Sequence, residues 1–176
     1  MKFKFSKNKK GFTLLEVVIS LGLLIMVFGG VTGLAILSAE AERSSKNNLV
    51  AAYLAKEGQE LVRYKRDLNY IQTVSPFDSI ATETDNTAYN FTIDYNMTIT
   101  SAASPDVKQA PVLEIVSDFY ANAVGVDTIF KRLVTTTYHQ ASGLLPARID
   151  VLVEVYWKQD NKNNTYSLSS ELTDWR

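Results

Sequence analysis

The chain has 176 residues, which fits one domain of ordinary size with an appendage and is too short for two, and 46% of them are hydrophobic. With 8 glycines, 4 prolines and a charged fraction of 21%, neither a disordered nor a collagen-like chain is possible, and a packed core is expected. Cysteine is absent and histidine occurs once, so disulfides, thiolate chemistry and any site built on two imidazoles are excluded.

The formal net charge of −1 conceals an asymmetry, because Lys2, Lys4, Lys7, Lys9 and Lys10 crowd the first ten residues with no acid beside them. From Glu40 to Arg176 the balance is −5, the wrong sign for gripping phosphates, so nucleic acid is not expected as a partner. Behind the lysines lies an apolar stretch in which residues 17 to 39 carry no charge. As a helix it measures roughly 35 Å, enough to cross a hydrocarbon core of about 30 Å with some tilt. The lysines in front of it orient the N-terminus to the cytoplasm and everything after about Glu40 to the outside. A cleaved secretory signal has the same general outline, but its apolar core is shorter, and Glu16 inside the hydrophobic block gives such a segment nothing in return for a carboxylate that is costly to bury.

The run Lys9-Lys10-Gly11-Phe12-Thr13-Leu14-Leu15-Glu16-Val17-Val18 resembles the leader junction of the type IV prepilins and pseudopilins. In that family a membrane-embedded aspartic peptidase cuts after the glycine and methylates the new amino terminus. The resemblance therefore implies a leader of residues 1–11, cleavage between Gly11 and Phe12, N-methylation of Phe12, and Glu16 as the assembly glutamate. Glycine leaves the scissile bond unobstructed, and the lysines hold that bond at the cytoplasmic face. Taken singly, each residue has an ordinary reading: Gly11 as a helix start, Phe12 as an interfacial aromatic, Glu16 as a carboxylate at the positive end of a helix. The order in which they stand, after the lysines and before a spanning segment, favours the specific one.

Helical periodicity continues beyond the apolar stretch, with Val50, Leu54, Leu61, Tyr64, Leu68 and Ile71 at threes, fours and sevens, and no proline occurs before Pro76. The sequence predicts one helix from about Phe12 to about Ile71. Its inner part, 12–39, is the transmembrane or filament-core rod; its outer part, 40–71, opens an extracytoplasmic domain of residues 40–176. Gly22, Gly29, Gly30 and Gly33 weaken the rod and predict a kink or a locally melted turn, and Gly29 and Gly33 have a spacing that brings membrane helices close. Ala51 to Glu60, with Arg63 and Arg66, resembles a segment of minor pilins and of one class of secretion pseudopilins. Glu57 on the packing stripe and Gly58 in mid-helix are both locally unfavourable, and either a nearby donor and backbone accept them or they are a solvated acid and a tolerated glycine.

After Pro76 the period changes to two. Tyr89, Phe91, Ile93, Tyr95, Met97 and Ile99 predict one strand, and Ile149 to Trp157 another. Further strands are predicted at 112–116, 130–138 and 166–172, with a turn at 160–164. The expected product is an α+β fold, a long N-terminal helix packed on a C-terminal antiparallel sheet of about 88–174. The Ser169 to Trp175 segment is weakly similar to the ends of some minor pilins and pseudopilins.

Catalytic signals are sparse. His139 has no acid or serine at a telling spacing, so no enzyme site and no cofactor is expected. The turn at Asp160 to Asn164 has one carboxylate and no glycine, too little for a calcium loop, and no metal ligand set is assigned. Lys56, Arg63, Lys65 and Arg66 are interleaved with Glu57, Glu60 and Asp67, as on a solvated helix face. The sequons at Asn90, Asn96 and Asn163 carry no assigned function.

The function implied by the family resemblance is a non-catalytic filament subunit, a minor pilin or pseudopilin of a type IV pilus or related secretion or DNA-uptake machine. Its partners would be other subunits, the prepilin peptidase and methyltransferase, and the assembly platform. It would reside in the inner membrane with its N-terminus cytoplasmic, then in the filament. The alternative is a binding or sensing domain on a permanent single-pass anchor, which leaves Glu16 unexplained.

Overall fold

The computed structural model describes residues 11–116, 119–121 and 125–174. The five leader lysines and Trp175 lie outside the described residues. The chain divides into two compact units between Ser44 and Ser45.

The first unit is the inner part of a single helix, α1 (Leu14–Ile71). Thr13 caps it, its Oγ1 accepting the Glu16 N–H at 3.3 Å. Every residue from Gly11 to Ser44 is exposed, including the large apolar side chains of Leu15, Leu24, Phe28 and Leu34. The expected melted turn is absent, because Gly22, Gly29, Gly30 and Gly33 are all helical. Each glycine costs about 1 kcal/mol of propensity without removing an i to i−4 bond, and the apolar residues between them sustain the ladder.

In the second unit the outer part of α1 packs on a seven-stranded antiparallel sheet. The strands are β1 (Ala88–Ile93), β2 (Ile99–Ser101), β3 (Val112–Val116), β4 (Phe119–Ala121), β5 (Val126–His139), β6 (Arg148–Gln159) and β7 (Lys162–Thr173). β5 is central: β6 runs along one of its edges, while β3 and β1 share the other, pairing with its first and second halves. β7 closes the far side by pairing with β6 over twelve residues. The core forms where Phe130, Val134, Ile149, Val151, Val153, Val155, Trp157 and Leu172 meet the helix. On the opposite face a 3-10 helix, Val107–Gln109, lays Val107 and Ala110 on Leu133.

The helix face that meets the sheet is not the expected one. Ala51, Leu54, Ala55, Gly58, Val62 and Asn69 are buried, whereas Tyr64 is 55% and Ile71 75% exposed. At 100° per residue the contact stripe is rotated by about a quarter turn from the large apolar residues. Small side chains won because they let the helix backbone approach the sheet closely, with Val50 and Leu61 filling the flanks.

Two strand boundaries also differ from the period-two reading. The predicted 89–99 strand is a hairpin, β1 and β2 pairing antiparallel as Phe91↔Ser101 to Ile93↔Ile99. It turns where Asp94 and Asn96 both accept the Thr98 N–H, at 2.9 and 3.0 Å, with Met97 at φ 66°. Asp and Asn side chains that mimic a backbone turn override the alternation of their apolar neighbours. The predicted 160–164 turn contracts to Asp160 and Asn161, at φ 49° and 62°, and β7 starts at Lys162. Positive φ at both central residues is what a two-residue hairpin turn requires, and Asn tolerates it.

Candidate functional site

Gly11, Phe12 and Glu16 stand together at the start of α1. Gly11 and Phe12 precede the helix, nothing approaches the α-carbon of Gly11 within 4 Å on the side a Cβ would occupy, and Phe12 is 82% exposed. Among the described residues the Gly11-Phe12 junction is therefore accessible. Glu16 falls in the first turn, where the partial positive charge of unpaired N–H groups favours a carboxylate. Thr13-Leu14-Leu15-Glu16 also has the spacing of a capping box, of which the Thr13 half is formed. The Thr-x-x-Glu spacing that carries this cap is contiguous in the sequence, beside the first-turn position of Glu16.

The second constellation lies in the second unit beneath Glu57 and Gly58. Arg132 of β5 is 1% exposed, and its guanidinium meets two other elements, α1 and β1, at once. Nη1 donates to the Leu54 carbonyl at 3.1 Å and lies 3.5 Å from the Glu57 carboxylate, and Nη2 donates to the Ile93 carbonyl at 2.6 Å. Burial pushes the Arg132 pKa down, and the neighbouring charges of Glu57 and Asp94 oppose that fall. Glu57 is thus the counter-ion of a buried cation, and the helix, β1 and β5 are tied through one side chain. Gly58 completes the arrangement: a Cβ there would lie 3.0 Å from Val153 Cγ1 and 3.1 Å from Arg132 Cδ. Of the two sequence readings, the one in which neighbouring groups accept these residues is correct: a donor meets Glu57, and side chains, not backbone, close on Gly58. The partner itself was invisible in sequence, because Arg132 lies 75 residues from Glu57 in a strand otherwise read as apolar.

His139 gains an acid that sequence spacing did not reveal: its Nε2 donates to Asp150 Oδ2 at 2.8 Å. The two sit diagonally across the β5–β6 ladder, where Thr137 faces Asp150 and His139 faces Arg148. A base with an orienting acid is two parts of a three-part catalytic arrangement, and this one lies on the open sheet face. Among the described residues no three His, Asp or Glu side chains converge as metal ligands. Asn163 Oδ1 accepts the Tyr156 hydroxyl at 2.8 Å, which ties down one of the oxygens in the 160–164 segment. On the outer helix, Arg63 pairs with Glu60 at 3.1 Å and Arg66 with Asp67 at 2.7 Å. Both arginines of this segment are thus met by acids of the helix itself.

Residues 6–32 match a family model described as the prokaryotic N-terminal methylation motif, the type IV prepilin leader signature. Comparison with curated proteins and with solved structures finds no match. The motif indicates type IV pilin-like prepilin processing, and the long helix on an antiparallel sheet is the pilin-like α+β architecture. It is the motif of a structural, typically non-enzymatic family whose members assemble with other pilin subunits. One apolar N-terminal helix supports anchoring in a membrane.

Proposed function

We propose that this chain is a non-catalytic minor pilin or pseudopilin of a type IV pilus or related secretion or DNA-uptake filament. The observation that carries the proposal is the overlap of the methylation motif, residues 6–32, with the exposed Gly11-Phe12 junction and the apolar helix behind it. The proposed organisation is a leader of residues 1–11, a membrane and filament-core helix of 12–39, and an extracytoplasmic domain of 40–176. The N-terminus faces the cytoplasm across the inner membrane until the subunit is drawn into the filament by its assembly platform.

Cleavage after Gly11 creates a positive amine on Phe12, and Glu16 then lies about 6 Å further along the helix. Near the headgroups its carboxylate is hydrated. In a bundle of apolar rods an unpaired carboxylate is strongly disfavoured, so Glu16 needs a cation, and the Phe12 amine of a neighbouring subunit is the natural one. The pairing is satisfied at one axial offset and therefore sets register more than it adds stability. Intact-mass measurement of membrane-extracted protein tests the processing: the expected mature species starts at Phe12 and carries one methyl group. A chain that keeps residues 1–11 in cells with an active prepilin peptidase would overturn it.

A further inference from the structure

We infer that Leu144 and Leu145, at the tip of the β5–β6 loop, dock in the groove between α1 and the β1–β2 turn of a second copy of this chain. The inference rests on the filament reading, in which copies stand parallel and are shifted along the helix axis. Ser142 to Leu145 form a tight turn: the Leu145 N–H donates to the Ser142 carbonyl at 3.0 Å, the Ser142 N–H donates to the Leu145 carbonyl at 3.1 Å, and Gly143 has φ 61°. Glycine at the first central position is what such a hairpin turn requires, and the residues around it are ordinarily polar. Here Leu144 is fully exposed and its neighbour Leu145 is 61% exposed, on a loop that carries no charge from Gln140 to Ala147. The two backbone bonds hold both leucines outward, as a knob whose burial needs another surface.

That surface is present elsewhere on the same chain. A groove of about 510 Å³ runs between the outer helix and the β1–β2 turn, lined by Leu61 and Tyr64 on one side and by Tyr95 and Met97 on the other, with Glu57 and Glu60 beside them. Tyr95 is braced by its stacking on Phe119 at 5.0 Å, and the two acids are already matched by Arg132 and Arg63, so seating an apolar knob strands no charge. The knob stands at the end of the sheet where α1 finishes, since Arg66 Nη1 donates to the Thr173 carbonyl and Thr173, Arg148 and His139 lie side by side across β7, β6 and β5. From Arg132, which meets Glu57 beside the groove, to His139 at the foot of the knob is about 23 Å along β5. The knob therefore reaches the groove of a parallel copy shifted outward along the helix by about 20 to 30 Å.

Charge supports the same offset. Glu83, Asp85 and Asp174 gather around Tyr138 at the foot of the knob, where burial and their charges push the Tyr138 pKa up, and Asp85 Oδ1 accepts the Gln140 N–H at 2.9 Å. On the helix, exposed Lys46 lies on the groove side, within about 60° of arc of Glu57, Leu61 and Tyr64 and about 17 Å nearer the helix start than Glu57. With the knob seated, these acids come level with Lys46 of the partner subunit. A knob that enters a groove elsewhere on the next molecule is a heterologous contact, and with an axial shift it repeats without closing into a ring. A helical stack offers several neighbours at successive offsets, so this contact and the Glu16 pairing join different pairs of copies.

The absence of native cysteine makes the test direct. Full-length chain carrying both Leu144→Cys and Tyr64→Cys is produced in cells with an active prepilin peptidase and assembly platform, and sheared filaments are oxidised. The expected product is a ladder of covalent multimers of this chain, identified by mass, because each copy offers both halves of the contact. Either cysteine alone is expected to give no cross-link. Leu144→Cys combined with Ser167→Cys, an exposed position paired with Glu154 on the sheet face away from the helix, is expected to give no ladder. Adding Leu145→Asp to the first pair puts a charge into the apolar groove and is expected to reduce cross-linking about tenfold, with the amount of chain in the membrane unchanged. Lys46→Glu is expected to reduce it about threefold, whereas Lys56→Glu, about 80° round the helix from Tyr64, is expected to leave it unchanged. No ladder from filaments that contain the chain, an equal ladder with Ser167→Cys, or an adduct with a different subunit would each overturn the docking and leave the filament reading in place. Wild-type chain missing from sheared filaments would overturn both.

Discussion

At the scale of single residues, Gly58 weighs two effects against each other. Alanine is favoured over glycine by about 1 kcal/mol inside a helix, but overpacking a tight contact costs about 1 to 3 kcal/mol. Arg132 is held by two carbonyls and Glu57, so it cannot yield to the 3.1 Å contact that a new methyl would make. Gly58→Ala is expected to destabilise the domain by about 1 kcal/mol in urea unfolding. A gain of similar size would show that the helix has slack against the sheet. Glu57→Gln keeps the shape of the side chain and removes the counter-ion. Since Glu57 is about one-third exposed, screening reduces the loss to about 1 kcal/mol, well below that of a fully buried pair. Arg132→Leu should cost more, about 2 to 4 kcal/mol, because it leaves the Leu54 and Ile93 carbonyls without this donor. At the other end of the chain, Glu16→Val is expected to be cut normally at Gly11 and to persist in the membrane but to be missing from sheared filaments. Wild-type incorporation would reduce Glu16 to a first-turn carboxylate favoured by the positive end of the helix.

Elements are bounded here by local chemistry that hydrophobic periodicity does not reveal. α1 ends at Ile71 through a pair of reversed bonds, Thr73 N–H to Tyr70 O at 3.1 Å and Val74 N–H to Asn69 O at 3.2 Å. This is the glycine-type helix terminator, yet Thr73 occupies its left-handed position at φ 58°. A β-branched residue is strained there, so Thr73→Gly is expected to raise stability by about 1 kcal/mol, read as a shift of the urea midpoint at constant slope. The chain beyond is fastened by the buried amide of Asn69, which donates to the carbonyls of Pro76 and Asp78 at 3.2 and 2.7 Å. Asn69→Leu should cost about 2 to 3 kcal/mol by orphaning both carbonyls. The β1–β2 turn shows the same principle. Tyr95 and Met97 fit the alternation of a strand, but Asp94 and Asn96 close a turn around Thr98, and Tyr95 leaves the sheet to stack on Phe119 at 5.0 Å.

For the whole molecule, the lowest-numbered buried residue among the described ones is Ala51, so the described core belongs to the second unit. Removal of residues 1 to 38 is therefore expected to leave a soluble domain that melts cooperatively, measured by circular dichroism and size-exclusion chromatography. An aggregated fragment without a melting transition would show that the inner helix supports the core. The same division locates the proposed chemistry: processing and register in the first unit, surface recognition in the second.

The sequence by itself determined the membrane-capable helix, the leader junction and the α+β class, because each is written in contiguous residues: a charge-free run, a KKGF junction with Glu16 behind it, and a switch from helical to alternating period. It also located most strands, since Val112–Val116 and the cores of β5 and β6 alternate or cluster locally. Only the tertiary structure decided which face of α1 meets the sheet, what neutralises Arg132, why Gly58 is glycine and where Leu61, Tyr64 and Tyr95 form a groove. These depend on close approach between segments far apart in the chain, where the size of a gap or the direction of an N–H outweighs the hydrophobicity of the residue that carries it.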